Sequence, residues 1–376
     1  NSYQAQIWLM ERISRSKFYT SDPEKADYFL LPFWDLAMTG SGSLGVNAIH
    51  NNIQYIREHW PYWDRYNGGK HMVILPDDQG ACDLGTSLPQ LANTTFIQIN
   101  GLKVNNGRSR GVTNPCYVPK KDLIIPPPFG HRLGPTHELV NRPFKKIAEN
   151  STGQTRDKLL FFAGTVALPG MAAYSGGTRD LVVSHYLNDS MFHLVDIKKK
   201  PMSFEDYALG YLSAKFCLAP SGLGWGIRTF LAIFYECIPV IIQENVEMPY
   251  EEYLEWSAFS IRLENKDVPS LKEKLMGISS SKYEEYQTSL KCVWSRFQWT
   301  SIFGAFRSEA EHLERPDAFS TMMEILSRRA RGGEVEKVDS CTKQPALDPL
   351  PSDLCEFPCA PGIPSPLQTV PEYMPP

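Results

Sequence analysis

Residues 214–252 read AKFCLAPSGLGWGIRTFLAIFYECIPVIIQENVEMPYEE. Lys215 to Leu218 has the character of a short strand. Gly222, Gly224 and Gly226 crowd the next few positions, so Ala219 to Trp225 reads as a tight loop. From Gly226 the apolar residues Ile227, Phe230, Leu231 and Phe234 fall at i, i+3, i+4 and i+7, the spacing of one buried helix face. Ile238 to Ile242 is apolar and mostly β-branched, the mark of a strand covered on both sides. Strand, glycine loop, helix, strand is a βαβ unit. Its loop aims backbone N–H groups and a helix N-terminus at whatever lies above the sheet, an arrangement that favours a phosphate. Arg228 stands in the first helical turn, where a cation opposes the helix dipole. That position suits a functional cation, and it suits a solvated surface arginine equally.

The same rhythm recurs upstream. Leu159 to Gly164, LLFFAG, reads as a strand opening into a glycine loop that runs on to Tyr174-Ser-Gly-Gly-Thr-Arg179. Arg179 to Leu187 and Ser203 to Leu212 read as helices. Downstream, Leu254 to Glu264 is expected as an irregular strand and Val268 to Gly277 as a helix. Tyr283 to Phe297 and Ala318 to Arg331 are expected as long closing helices.

Before the polar stretch Ser151 to Asp157 the pattern is again α/β. Helices are expected over Ser2–Arg15 and Ile49–Trp60, with a short one from Glu24 capped by Asp22-Pro23. Strands are expected over Tyr28–Leu31, Met72–Leu75, Thr95–Ile99 and Leu123–Ile125. The last of these ends at three prolines, and Met72–Leu75 ends at Pro76-Asp77-Asp78. Ligands of open α/β sheets sit beyond the carboxyl ends of the strands, so His71, Asp77, Asp78 and Gly80 are candidates for such a site. His71 reads equally as a core histidine bonded to backbone, and Asp77-Asp78 as an ordinary turn.

The 376 residues suffice for two domains of about 150 residues each. Composition is 42% hydrophobic and 21% charged, with a net charge of −4. Clustered Lys and Arg of a nucleic-acid surface are missing, and no apolar run approaches the ~20 residues of a membrane span. The first residues do not read as a signal peptide, and Asn1 to Ser16 resembles a domain interior, so the chain is expected to begin inside a longer one. Beyond Gly332 the character changes. Ten of the residues from Pro345 to Pro376 are prolines, a composition expected to stay extended and disordered. Cys341, Cys355 and Cys359 lie in that tail and are expected to be unpaired. Sequons stand at Asn93, Asn150 and Asn188.

The central stretch carries a resemblance. AKFCLAPSGLGWGIR, AIFYECIPVII, MPYEE and the subsequent Trp256-Ser-Ala-Phe-Ser-Ile-Arg closely resemble the exostosin-like glycosyltransferases of family 47, known from plant and algal cell-wall synthesis. FYTSDPEKADYFLLP, KDLIIPP, Arg296-Phe-Gln-Trp299 and Asp317-Ala-Phe319 extend it, as do Arg179, His71, Asp78 and Gly80-Ala-Cys82. Lys70 replaces an acidic residue of the pattern. The resemblance implies a GT-B-like α/β fold, two Rossmann-like domains facing a cleft. Residues 1–150 would form the acceptor side, 151–331 the nucleotide-sugar side with its closing helices, and 332–376 the tail.

It also implies transfer from a nucleotide sugar, a UDP-sugar first among them, to a polysaccharide or glycoprotein glycan, usually with inversion. Asp78 or His71 would take the acceptor proton. Arg179, Ser221, Gly222, Gly224 and Arg228 would hold the donor. No two aspartates stand two positions apart, so the D-x-D metal motif is missing and a metal-independent site without further cofactor is expected. The implied setting is the Golgi lumen, with any membrane anchor outside this chain and a homologous partner subunit conceivable. The sequons and cysteines suit that lumen. The family has Glu where Leu231 stands, to hold ribose hydroxyls, and Gly where Glu236 stands, suited to a left-handed helix end. Leu231 favours a second reading, a catalytically weak carbohydrate-binding partner of an active homologue. A sugar phosphorylase of similar fold is a third, against which the first-half matches argue.

Overall fold

The computed structural model describes residues 5–32, 46–76, 80–87, 91–103, 116–127, 155–168, 174–222, 224, 226–299, 316–338 and 341. Helix α1 (Ala5–Ser14) places Leu9 and Ile13 in the core. The short helix expected from Glu24 is only a turn. The Asp22 carboxylate accepts the Glu24 N–H at 3.1 Å, and this local bond closes the chain without helix.

Strand β1 (Phe29–Leu30), helices α2 (Val46–His59) and α3 (Tyr62–Tyr66), and strands β2 (His71–Leu75), β3 (Thr95–Gln98), β4 (Gly101–Leu102) and β5 (Leu123–Ile124) come next. The first sheet has the order β1-β2-β3-β5, with every pairing parallel. All five residues of β2 are buried, as a strand covered on both faces requires.

The second sheet is built from β6 (Lys158–Gly164), β7 (Phe192–Asp196), β8 (Ala214–Pro220) and β9 (Ile238–Ile242), and from β11 (Ile261–Arg262), which comes after the short β10 (Val246–Glu247). Its order is β11-β9-β8-β6-β7, again parallel throughout. Helices α4 (Thr178–Tyr186), α5 (Phe204–Ser213) and α6 (Ile227–Phe234) are the crossovers. Strand β7 escapes the sequence reading. It is an edge strand whose burial follows neither a strict alternation nor a continuous run.

Leu254–Glu264 holds one 3-10 turn and the two-residue β11. A 3-10 segment, Asn265–Ser270, leads into α7 (Leu271–Met276). Helix α8 (Ser280–Val293) tightens into a 3-10 turn over Trp294–Phe297. Asp317 then caps α9 (Ala318–Ala330) by accepting the Ser320 N–H at 2.8 Å.

The closing helices return to the first sheet. Arg329 donates to the carbonyls of Lys121 and Asp122 at 3.0 and 2.8 Å, and the Trp299 indole to that of Pro126 at 3.0 Å. Strand β10 pairs antiparallel with β4. One apolar cluster accordingly contains Ile97 and Leu123 of the first sheet, Phe216 and Ile238 of the second, and Phe319 and Met322 of α9.

At the start of the tail the expectation that Cys341 is unpaired is corrected. The Val338 N–H donates to the Tyr253 carbonyl at 2.9 Å, and Cys341 forms a disulfide with Cys292 of α8. Disulfides also join Cys82 to Cys116 and Cys217 to Cys237. Cys355, Cys359 and the proline-rich stretch lie outside the described residues. Among those described, no helix is long and apolar enough to cross a membrane.

Candidate active site

The site grows from the carboxyl ends of β6 and β8, neighbours in the second sheet. Arg228 leaves the first turn of α6 and donates Nε to the Ala163 carbonyl at 2.9 Å. Its guanidinium carbon lies 5.3 Å from the centre of the Phe162 ring. Gly164 makes room for it, because a Cβ there would overlap the guanidinium. Arg228 is therefore half-buried and fixed, not freely solvated.

Arg179, near the start of α4, is only 2% exposed. Its Nε and Nη2 donate to the Ser221 carbonyl at 3.1 and 2.8 Å. Its Nη1 reaches the Thr165 carbonyl at 2.8 Å and the Tyr174 hydroxyl at 2.7 Å. It too stands near Phe162, 5.7 Å from the ring centre. Among the described residues neither guanidinium forms an ion pair; backbone carbonyls hold both. Burial, and then the nearby Arg228 charge, bring the Arg179 pKa down to about 10. Two adjacent guanidiniums in a half-dry site, neither paired with a carboxylate among the described residues, make a place where an anion is favoured.

The loop before α4 is shaped to deliver Arg179. Ser175, Gly176 and Gly177 all adopt positive φ, at 59°, 62° and 80°. The unfavourable Ser175 is held by its hydroxyl, which donates to the Ser221 carbonyl at 2.7 Å. Asn265 clasps the same loop, donating Nδ2 to the Gly176 carbonyl at 2.9 Å and accepting the Thr178 hydroxyl at 2.7 Å.

Ser221 thus takes part through its backbone oxygen, the shared acceptor for Ser175 and Arg179. Gly222 lies against Arg179: a Cβ there would stand 3.4 Å from Nη2. The Gly222 N–H points at the Gly224 carbonyl at 3.5 Å, a long contact within the loop. Gln243, just past β9, donates to the Ala219 carbonyl at 3.1 Å and faces the Thr229 hydroxyl at 3.4 Å, which ties the loop's base to α6. Tyr174, Gln243 and Asn265 are absent from the sequence-derived candidates. Only Gln243 carries a signal there, as a polar residue closing a buried apolar strand.

Leu231 does not enter the site. It is 6% exposed and packs with Phe161, Tyr211, Cys217 and Tyr235. Phe230, Ile233 and Phe234 pack into a different cluster. The single stripe read from the sequence is two faces of a helix buried on both sides.

The first-half candidates separate. His71 opens β2 at its amino end, so the other four residues of the strand, each rising about 3.3 Å, stand between it and Pro76. It is 2% exposed, between the rings of Phe29 and Trp63 at 5.1 and 4.6 Å. Burial lowers its pKa to about 4 and keeps it neutral. The expectation that it sits beyond the carboxyl ends is thereby corrected. Asp77 and Asp78 lie outside the described residues. Gly80 begins the next turn, where the Gln98 amide oxygen accepts the Ala81 N–H at 2.7 Å and leaves no room for a Cβ on Gly80.

A model of the exostosin GT47 domain matches residues 1–278. The chain belongs to the exostosin GT47 family. This GT47 chain is 28% identical over 293 residues to a probable glycosyltransferase, At5g25310, of Arabidopsis thaliana, covering 76% of the chain and 55% of that protein. It is 27% identical over 295 residues to a probable glucuronosyltransferase, Os01g0926600, of Oryza sativa subsp. japonica, covering 73% and 65%. It is 26% identical over 291 residues to a probable beta-1,4-xylosyltransferase, IRX10L, of Arabidopsis thaliana, again covering 73% and 65%. The chain thus spans between 55% and 65% of the length of these curated relatives.

Among solved structures, AviGT4, a glycosyltransferase involved in avilamycin A biosynthesis, superposes with a TM-score of 0.33 at 12% identity, covering 75% of this chain and 79% of that one. TarM superposes with a TM-score of 0.32 at 10% identity, covering 61% and 53%.

Proposed function

We propose that this GT47 chain transfers a sugar from a nucleotide sugar, a UDP-sugar first, to a hydroxyl of a polysaccharide or glycoprotein glycan. The observation that carries the reading is the pair Arg179 and Arg228 at the carboxyl edge of the second sheet, held by carbonyls and in no ion pair among the described residues. Such a pair neutralises a leaving diphosphate in place of a metal, and it strengthens as the bond to the sugar breaks. The relatives named as glucuronosyl- and xylosyltransferases make those two sugars the first donors to test.

Inverting transfer needs one general base to take the acceptor proton. Asp78, three residues after β2 in the sequence, is the candidate; His71, buried at the amino end of that strand, is unsuited. The disulfides accord with the Golgi lumen as the setting. Arg228→Ala, assayed for donor hydrolysis and UDP binding, tests the reading. Loss of both in a folded protein is expected, and unchanged activity refutes the site.

The burial of Leu231 keeps a second reading in play, a weakly active or inactive glycan-binding homologue, since α6 then supplies no carboxylate to the donor. Asp78→Asn separates the two. A loss of about 100-fold in turnover with donor affinity kept belongs to a catalyst; no hydrolysis by the unmodified protein with any nucleotide sugar belongs to the homologue.

A further inference from the structure

Glu244 follows β9 by two residues, at the carboxyl edge that carries the arginine pair. The β8–β9 register aligns Pro220 with Ile242, so Gln243 and Glu244 run on beside Ser221 and Gly222. Glu244 is exposed, and its Oε1 accepts the Asn265 N–H at 3.1 Å. That bond orients the carboxylate from the same residue that clasps Gly176 and Thr178 before Arg179. Arg179 in turn grips the Ser221 carbonyl. Asn265 therefore ties the carboxylate to the backbone segment that carries Arg179. Glu244 forms no ion pair among the described residues, whereas Glu247 pairs with Lys103 and Glu251 with Arg262.

We infer that Glu244 is the ribose-binding carboxylate of this site, accepting hydroxyl hydrogen bonds from a nucleoside diphosphate whose phosphates lie at Arg179 and Arg228. The inference rests on the reading of the arginine pair as the diphosphate site. The spacing agrees with it. The arginines stand over β6 and β8, and β9 is the next strand, so the two subsites are one to two strand separations apart, about 5–10 Å. That is the reach from a diphosphate to the hydroxyls of its own ribose. An ionised carboxylate is the strong acceptor for a vicinal diol, and nucleotide sites on parallel sheets use an acidic side chain for this contact. With Leu231 packed in the core, α6 presents no acid of its own here.

Calorimetric titration of the unmodified protein, Glu244→Gln and Arg228→Ala with UDP, GDP and their 2′,3′-dideoxy analogues tests this. Glutamine keeps an oxygen for the Asn265 N–H, and a melting curve confirms that the variant folds. Glu244→Gln should weaken the better-bound nucleotide by about tenfold or more and leave its dideoxy analogue unaffected. Arg228→Ala should weaken both ligands. If Glu244→Gln binds the nucleotide normally, or loses it and its analogue equally, while Arg228→Ala weakens both, the assignment of Glu244 fails and the diphosphate site stands. If the unmodified protein binds neither nucleotide, both are overturned.

Discussion

Gly164 shows how one missing atom shapes a site. A side chain at this last residue of β6 would occupy the space of the Arg228 guanidinium. Gly164→Ala should therefore displace Arg228 and cost UDP affinity about tenfold or more, the worth of a hydrogen bond to a charged group. Calorimetry with UDP reads the loss, and retained affinity would place Arg228 outside the donor contact. Leu231 makes the opposite case. Its packing against Phe161, Tyr211 and Tyr235 leaves a carboxylate nowhere to point. Leu231→Glu should lower stability by on the order of 3 kcal/mol without tightening UDP binding; a rise in affinity would reverse that account. The arginines were legible as residues, since glycine loops precede both. Their partners were not, because Ser221 and Ala163 act through backbone carbonyls that any residue type provides.

Helix α6 ends as a family glycine would end it, but on glutamate. Glu236 adopts φ 53°, its N–H meets the Ile233 carbonyl at 3.1 Å, and the Cys237 N–H meets that of Ala232 at 2.9 Å. This double closure prefers glycine. Glu236→Gly is expected to stabilise the protein by about 1 kcal/mol, readable as a higher midpoint in denaturant unfolding.

Strand β2 supplies a pH dependence. Folding lowers the His71 pKa to about 4, from 6.5 in the unfolded chain. The neutral ring is the form the fold accepts. Its contribution is complete above pH 6.5 and is lost as the pH falls from there toward 4. His71→Phe should flatten the stability profile across that window, and an unaltered slope would assign the acid sensitivity to other groups.

Strands and crossovers of strong period were legible from spacing alone. Strand β7 was not, and neither was the helix replaced by a turn at Asp22, where an edge position and a side-chain bond outweigh local preference.

For the molecule as a whole, the cationic pair is expected to do the work of a metal. Chelation by EDTA should leave donor hydrolysis largely intact, whereas abolition by EDTA and restoration by manganese would sink the metal-free mechanism. The two-sheet plan and its parallel order follow from the alternation of strands and helices along the chain. Less was visible in how the sheets are joined. That joining depends on carbonyl acceptors such as those of Lys121, Asp122 and Pro126, and on the β4–β10 pair, whose four residues leave no periodic trace.

The return of α9 to the first sheet sets a rule for chimeras. The family match ends at residue 278, yet Phe319, Met322 and Arg329 complete packing that begins at Leu9 and Lys121. Residues 1–278 exchanged between relatives at that boundary would leave each product with a helix selected against a different sheet. Grafts should instead carry the segment through Cys341, which keeps the Cys292–Cys341 disulfide, or keep the recipient's own α9 together with its first sheet, so that lock and key travel from the same parent.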